Sequence, residues 1–389
     1  MQTFMWLVFW LSIATLIYVY AGFSVLVVLV GRWRQRRVRQ QPITPTMSLI
    51  VAAYNEERNI ADRLDNALAL DYPREALQII VASDGSDDAT ESMVAEYAER
   101  GVQLLRLPRR GKIHALNDAA RHATGDLLVF SDANSMYDPQ ALRQLARNFA
   151  DPEVGGVAGN TIYTQLTKSD SSSQGEDLYW SYDKWLKQME SLTGSIVSAH
   201  GAIYGIRREL FRPIMDSAVT DDFAISTLAI EQGYRLVFES EALAYEPPLP
   251  AAEREFRRKV RLMTRGLRSV LLRRVLLNPF RYGFYSLVLF THKVLRRLVP
   301  FILLVILASS LILSASHEIY LVAALAQILF YMLAGFGYLL RHQRFGRFRL
   351  LYIPFFYCLA NTAALIALMK VLRGDHIERW QPQRTTASV

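Results

Sequence analysis

From Phe4 to Val30 the chain carries no charged residue. A run of that length forms a helix able to cross the hydrocarbon core of a bilayer with some tilt, so the fold has to include a membrane part. No basic segment precedes the run and it is longer than the apolar core of a cleaved leader, which argues against a signal peptide. Arg32, Arg34, Arg36, Arg37 and Arg39 follow directly. Short cytoplasmic flanks are rich in basic residues, which places this cluster inside and the amino terminus outside. Residues 1–31 are read as a transmembrane helix, and residues 32–46, with Pro42 and Pro45 as a short spacer, as a basic cytosolic linker.

Three further apolar stretches lie near the other end, Leu298–Ser314, Ile319–Leu340 and Leu350–Val371. They make residues 298–372 a set of transmembrane helices. Between 277 and 297 the apolar pattern is interrupted by His292, Lys293, Arg296 and Arg297, which suggests a helix lying along the interface. Arg341, Arg344, Arg347 and Arg349 put the loop between the last two spans on the cytoplasmic side. One early and three late spans would leave the basic tail, residues 373–389, outside, against the charge rule. A cytosolic tail, with one late segment re-entrant or interfacial, is the preferred reading. The expected location is a cell membrane, the inner one in a Gram-negative cell, with several passes and the middle of the chain in the cytosol.

Half of the residues are hydrophobic, 51 %, and the formal net charge is +8. Because the Arg clusters flank the apolar blocks, the excess charge suits an anionic membrane face, and no nucleic-acid partner is expected. The single cysteine, Cys358, lies in an apolar stretch. Disulfides within the chain and CxxC zinc sites are thereby excluded.

The central portion, residues 47–276, alternates strands and helices. Met47–Ala53, Leu77–Ala82, Val102–Leu107, Asp126–Ser131 and Val154–Thr161 read as strands, and Lys112–Ala123 as a helix. Such alternation implies a mainly parallel sheet, whose ligands bind beyond the carboxyl ends of the strands. Polar residues gather at those ends. Asp84 stands where a carboxylate could hold a base or ribose, with Gly85 allowing a sharp turn, although Asp87 or Asp88 merely caps the next helix. Gly111–Lys112 adds a cation before the central strand. Asp132 and Asn134, two residues apart on an extended backbone, would present two oxygens on one side. Oxygen pairs of this kind suit Mg²⁺ or Mn²⁺ joined to phosphate oxygens, whereas an Asx turn is the bland alternative.

In order, SLIVAAYNEE, ASDGSDDAT, GKIHALN and FSDAN resemble the nucleotide-binding half of family 2 inverting glycosyltransferases. The likeness extends to about Arg268, and the flanking membrane segments resemble the polysaccharide-synthase branch that includes poly-N-acetylglucosamine, hyaluronan and cellulose synthases. The resemblance implies an α/β GT-A fold, Rossmann-like with a mainly parallel sheet, joined to transmembrane helices. By position, Asp84 resembles the residue that holds the uridine, with Ala53, Tyr54 and Glu56 lining that pocket and Lys112 beside it. Asp132 and Asn134 resemble the metal-binding DxD motif with Asn in place of the second Asp, which keeps an oxygen and loses a charge.

Beyond this half, Thr167–Gly175 reads as a Ser-rich loop, and Leu178–Leu192 carries Tyr179, Trp180, Tyr182 and Trp185 at helical spacing, as core or as a sugar platform. His200 and Gly201 are either structural or on the acceptor side of a site. Thr220–Asp221–Asp222 begins a helix and resembles the family motif TED, whose last residue is the base. Asp222 is then the catalytic base, with Asp221 supporting it by raising its proton affinity. In the helix Glu253–Leu276, Arg254, Arg258, Arg261, Arg265 and Arg268 form a cationic stripe opposite Phe256, Val260, Met263 and Leu267. Such a helix lies against lipid headgroups, or lets Arg261 and Arg265 clamp a diphosphate, or both. Processive relatives carry QxxRW there; Leu262–Met263–Thr264–Arg265–Gly266 matches only the Arg.

The function expected is transfer of a sugar from a nucleotide-diphosphate donor, a UDP-sugar first, to a lipid or a growing polysaccharide. The alternative is a non-catalytic sugar-nucleotide-binding subunit of a membrane synthase or export complex. A nucleotidyltransferase would keep the fold but would not need the TDD motif, and a transporter would carry more charge within its spans.

Overall fold

The computed structural model describes residues 2–164, 171–247, 252–341, 343 and 348–374, with the backbone alone at 171–180 and 252–255. The chain divides into two compact units, one built around Val27–Pro250 and Ser269–Val288, the other around Met1–Leu26, Ala251–Arg268 and Leu289–His376.

The first unit is organised on one sheet. Its strands are β1 (Met47–Ala53), β2 (Leu77–Asp84), β3 (Val102–Leu107), β4 (Leu127–Asp132), β5 (Met136–Tyr137), β6 (Val154–Tyr163), β7 (Tyr204–Arg207) and β8 (Arg235–Glu246). They lie in the order β3-β2-β1-β4-β7-β6-β8-β5. β1 runs parallel to β2 and β4, and β2 parallel to β3. Every residue of β1 is buried, which is what a near-continuous apolar run demands, since both of its faces must be covered. Helices Ile60–Leu68, Thr90–Ala95 and Lys112–His122 connect these parallel strands. With helices between parallel strands and an edge-to-edge mixed half, the unit has the Rossmann-like GT-A architecture.

The second half of the sheet departs from the parallel expectation. β7 is antiparallel to β4 and β6, β8 is parallel to β6, and β5 is antiparallel to β8. β5 and β8 carry no motif and little alternation, and were not anticipated. The segment expected as a loop to Gly175 is also different, because a helix runs Ser171–Thr193; residues 165–170 of that stretch lie outside the described residues.

The linker after the first helix is bound to this unit along its length, unlike a plain spacer. Arg36 N donates to Leu192 O at 3.0 Å, Arg39 N to Asp151 Oδ2 at 3.1 Å, and Gln40 Nε2 to Asn148 Oδ1 and Glu239 Oε2, both at 2.9 Å. Tyr72 closes the strap by donating its hydroxyl to Pro45 O at 2.5 Å. Arg235, only 5 % exposed, gathers three carbonyls, Gly194 O at 2.9 Å, Arg36 O at 2.6 Å and Ser191 O at 3.1 Å. A buried guanidinium is acceptable there because its Nε and Nη2 donors have found oxygens.

Among the described residues four helices are long and apolar enough to cross a membrane, the first two of them shared with the sheet unit: Gln2–Arg34, Phe284–Leu313, Glu318–Leu339 and Arg349–Leu372. Phe9, Ile306, Leu313 and Tyr320 form a shared apolar cluster, with Phe9 and Tyr320 edge to face at 5.1 Å. The boundary expected at residue 297 moves. After a short helix Pro279–Tyr282, an apolar helix starts at Phe284 and runs through His292, Lys293 and the two Arg residues to Leu313. It includes a π-helical stretch, Phe290–Leu295, on which the His292 ring packs edge to face on Phe23 at 4.9 Å and Thr291 meets the Tyr18 hydroxyl at 3.1 Å. Local insertion of a π turn is what lets polar side chains find partners within an apolar helix.

Replacing Arg235 by Met should remove the donor of three carbonyls, that of Ser191 buried, and cost about 3 kcal/mol. The check is thermal unfolding of the detergent-solubilised protein, together with proteolysis, which is expected to cut first within residues 35–46.

Candidate active site

The central pairing of β1 brings the motifs together. β1 ends between its two parallel neighbours, with Ala53 opposite Ser83 and Ala52 opposite Asp132. Asp84, Asp132 and the Tyr54–Glu57 turn therefore share one end of the sheet.

Asp84 is 2 % exposed. It accepts the Arg110 amide at 2.8 Å, the Gly111 amide at 2.9 Å and a charge-assisted bond from Arg109 Nη1. The same Arg109 guanidinium lies 3.3 Å from the centroid of the Tyr54 ring. Gly85 has φ +67°, and a Cβ there would fall 2.8 Å from the Arg109 amide nitrogen, so only glycine permits both the turn and the approach. Arg109 was missed by sequence reading; its one signal is the basic turn Arg109–Arg110–Gly111 ahead of Lys112. Ala53 is 1 % exposed and its methyl belongs to the hydrophobic core. A ligand in the expected pocket could meet only its main chain.

The turn after β1 is held by the turn after β2. Asn55 and Asp87 exchange hydrogen bonds at 2.5 and 2.9 Å, and Glu56 N donates to Thr90 Oγ1 at 2.8 Å. Asp88 receives the Thr90 amide at 3.0 Å at the start of the helix. Burial raises the Glu56 carboxyl above its ordinary range, the charges of Asp132 and Asp88 adding to this against the Asn59 hydrogen bond.

β4 ends at Asp132, and Ala133–Asn134 forms a turn in which Ser135 N donates to Asp132 O at 3.3 Å. The expected extended backbone, with residues two apart pointing the same way, is thus corrected: the two oxygen donors are offered by a turn. Lys112 joins the motifs. Its Nζ lies 2.5 Å from Asp132 Oδ1 and 2.7 Å from Asp221 Oδ2, and its side chain is 11 % exposed. Burial disfavours its charge, but Asp132 and Asp221 outweigh burial and hold it well above the ordinary lysine range. Asp221 begins the helix Asp221–Glu231, and Asp222 Oδ1 accepts the Phe223 amide at 2.7 Å. Asp221 therefore stands in an ion pair with Lys112, in addition to being the neighbour of Asp222. Thr220, just ahead, is fixed by Ser269, whose hydroxyl accepts its amide at 2.9 Å.

Gly201 faces this cluster, since a Cβ on it would lie 3.2 Å from Asp132 Oδ2. His200 beside it meets Thr161 Oγ1 at 3.3 Å and the Tyr163 hydroxyl at 3.4 Å. Sequence reading missed Glu246, at the end of β8. It is 9 % exposed, accepts the Ser135 hydroxyl at 2.8 Å, and is raised by burial, with His200 opposing this and Asp132 adding to it. Trp180 lies on the helix Ser171–Thr193, of which only the backbone is described at that point. One turn on, Tyr182 and Trp185 are 43 % and 40 % exposed, so this part of the aromatic stripe is not core.

Arg261 and Arg265 lie on the helix Ala252–Leu272, in the part that belongs to the other unit. Arg265 is 8 % exposed, like Val260 at 8 % and Leu267 at 7 %, whereas apolar Leu262 is 45 % exposed. Burial, with Arg265 and Arg258 nearby, lowers the proton affinity of Arg261.

A divalent ion fits the donor set in part. Asp132 and Asn134 would hold it, and Lys112 shows that a cation is accepted against Asp132. Among the described residues no group of three or more His, Cys, Asp or Glu side chains is arranged to hold a metal, so phosphate and water oxygens would have to complete the shell.

Residues 48–215 match the family model described as Glycosyl transferase family 2. Poly-beta-1,6-N-acetyl-D-glucosamine synthase of Staphylococcus aureus (strain COL) is 27 % identical over 205 residues, 51 % of this chain and 49 % of the relative. The synthase of the same name from Staphylococcus epidermidis is 26 % identical over 205 residues, with the same shares. The chain spans about half the length of the curated relatives it matches. Among solved structures, a mannosyltransferase from Pyrobaculum calidifontis in complex with GDP-Man and Mn²⁺ superposes with a TM-score of 0.69 at 23 % identity, over 95 % of this chain and 100 % of that one. This last likeness speaks for the fold. Residues 48–215 are thus similar to family 2 glycosyltransferases, and polysaccharide synthases are among the proteins the chain resembles.

Replacing Arg109 by Ala should remove the Tyr54 contact and one partner of buried Asp84, at a cost of about 2 kcal/mol. A lowered unfolding temperature checks this; an unchanged one would mean that the main-chain amides of 110 and 111 suffice.

Proposed function

We propose that the chain transfers a glycosyl group, with inversion, from a nucleotide-diphosphate sugar to a lipid or saccharide acceptor at a membrane, a UDP-sugar being the first donor to try. The observation that carries this reading is Lys112, whose ammonium touches both Asp132 and Asp221. It sets the residues that would hold the diphosphate beside those that would activate an acceptor.

In the proposed reaction Asp222 takes the proton of the acceptor hydroxyl as its oxygen attacks the anomeric carbon. The bond from that carbon to the diphosphate breaks, and the electron pair leaves with the nucleoside diphosphate. When bound at Asp132 and Asn134, Mg²⁺ or Mn²⁺ supplies charge to the leaving diphosphate. Asp84 and the Tyr54–Glu57 turn hold the base and ribose, and Gly201 leaves room for the sugar beside Asp132. His200 and Glu246 would face the acceptor side. The first helix and the three late apolar helices would anchor the enzyme with this domain in the cytosol. Leu262–Gly266 lacks the tryptophan of QxxRW, which favours transfer of one sugar over polymer synthesis.

Asp222→Asn should cut transfer about 10²- to 10⁴-fold while nucleotide binding persists. Diphosphate release from a panel of UDP- and GDP-sugars measures it, and full activity in the variant would remove Asp222 from the role of base. Chelation of divalent ions should stop release, and activity should return with Mn²⁺ or Mg²⁺. Nucleotide binding with no release from any sugar nucleotide would favour a non-catalytic binding subunit, and pyrophosphate as product would mean nucleotidyl transfer.

A further inference from the structure

Lys112 does more than join two motifs. It sits between one carboxylate expected to bind a divalent ion and another that adjoins the expected base, at 2.5 and 2.7 Å, with 11 % of its side chain exposed. Two carboxylates against one ammonium leave the trio with a single negative charge. Asn134 adds an oxygen but no charge. A divalent ion approaching Asp132 alone would meet an ammonium at ion-pair distance from its ligand, in a half-buried place where repulsion is poorly screened.

Resting on the glycosyltransferase reading, we propose that Lys112 is the resident cation of the metal position, yielding Asp132 Oδ1 to a divalent ion only when an anionic diphosphate arrives with that ion. The diphosphate compensates both cations at once. Lys112 keeps its hold on Asp221, so the exchange at Asp132 is felt at the residue before Asp222. Ion and nucleotide thus bind together, and each strengthens the other by the same factor, because coupling between two bound ligands is reciprocal. No bond is made or broken; one ion pair is traded for another.

The test is Mn²⁺ binding to the full-length protein in detergent, read from the electron paramagnetic resonance signal of free Mn²⁺, with and without UDP. Wild type should bind Mn²⁺ about tenfold more tightly with UDP than without it, as expected of strong charge coupling. Lys112→Met and Lys112→Gln should each raise affinity without nucleotide about tenfold and shrink the effect of UDP, whereas Lys112→Arg, which keeps the charge, should not. Adding Asp132→Ala to Lys112→Met should abolish the gain. The proposal falls if UDP leaves the wild-type Mn²⁺ affinity unchanged, a result that requires no variant to fold. It falls equally if neutral residues at 112 bring no gain, or if the gain survives the loss of Asp132. Coupled binding without diphosphate release from any sugar nucleotide would overturn glycosyl transfer and leave Lys112 in this role. Transfer with uncoupled binding would overturn only the role of Lys112.

Discussion

The pairing of β1 with two parallel neighbours is the constraint on which the site depends. A strand buried on both faces can be stabilised only between other strands and under helices, and the register of that pairing decides which turns meet. Here Ala53 faces Ser83 and Ala52 faces Asp132. A slip of one residue would turn Asp132 to the other face of the sheet. The polar groups at the strand ends are thus held in place by buried apolar residues.

Much of this half was legible because it is written in short periods. Met47–Ala53 and Val102–Leu107 are continuous apolar or alternating runs ended by turn residues, and both strands have those bounds. The other half was read less well. β8 runs Arg235–Glu246 at a sheet position fixed by β6, some 80 residues earlier in the chain, and nothing local in it announces a parallel partner. The same holds for side chains. Asp84, Asp132 and Asp221 could be picked out as acids at element ends. That Lys112 would bridge two of them, that Asp84 would be met by Arg109, or that Glu246 would be buried near Asp132 depends on contacts across the fold. The Ala133–Asn134 turn shows the limit from the other side, since the alternation of an extended chain ends with the strand at Asp132 and Asn134 lies two residues beyond it.

In the helical unit, length and hydropathy announced the four apolar helices, but the polar interruptions were over-read. His292, Lys293, Arg296 and Arg297 suggest a separate helix along the interface, whereas one helix runs through them, π-helical from Phe290 to Leu295. A backbone that locally admits one more residue per turn can rotate several side chains toward partners without ending the helix. Sequence periodicity assumes a uniform turn and cannot register such an adjustment.

Asp84 illustrates a last point. Its two oxygens already accept from Arg109, Arg110 and Gly111, so a base that used this carboxylate would exchange hydrogen bonds with the turn more than add to them. Exchanged bonds contribute little net affinity, whereas a wrong base leaves a buried carboxylate or a main-chain amide unmatched, at full desolvation cost. If a base binds there as proposed, a residue in this position would act as a discriminator, lending selectivity among bases while adding little to how tightly any one of them is held.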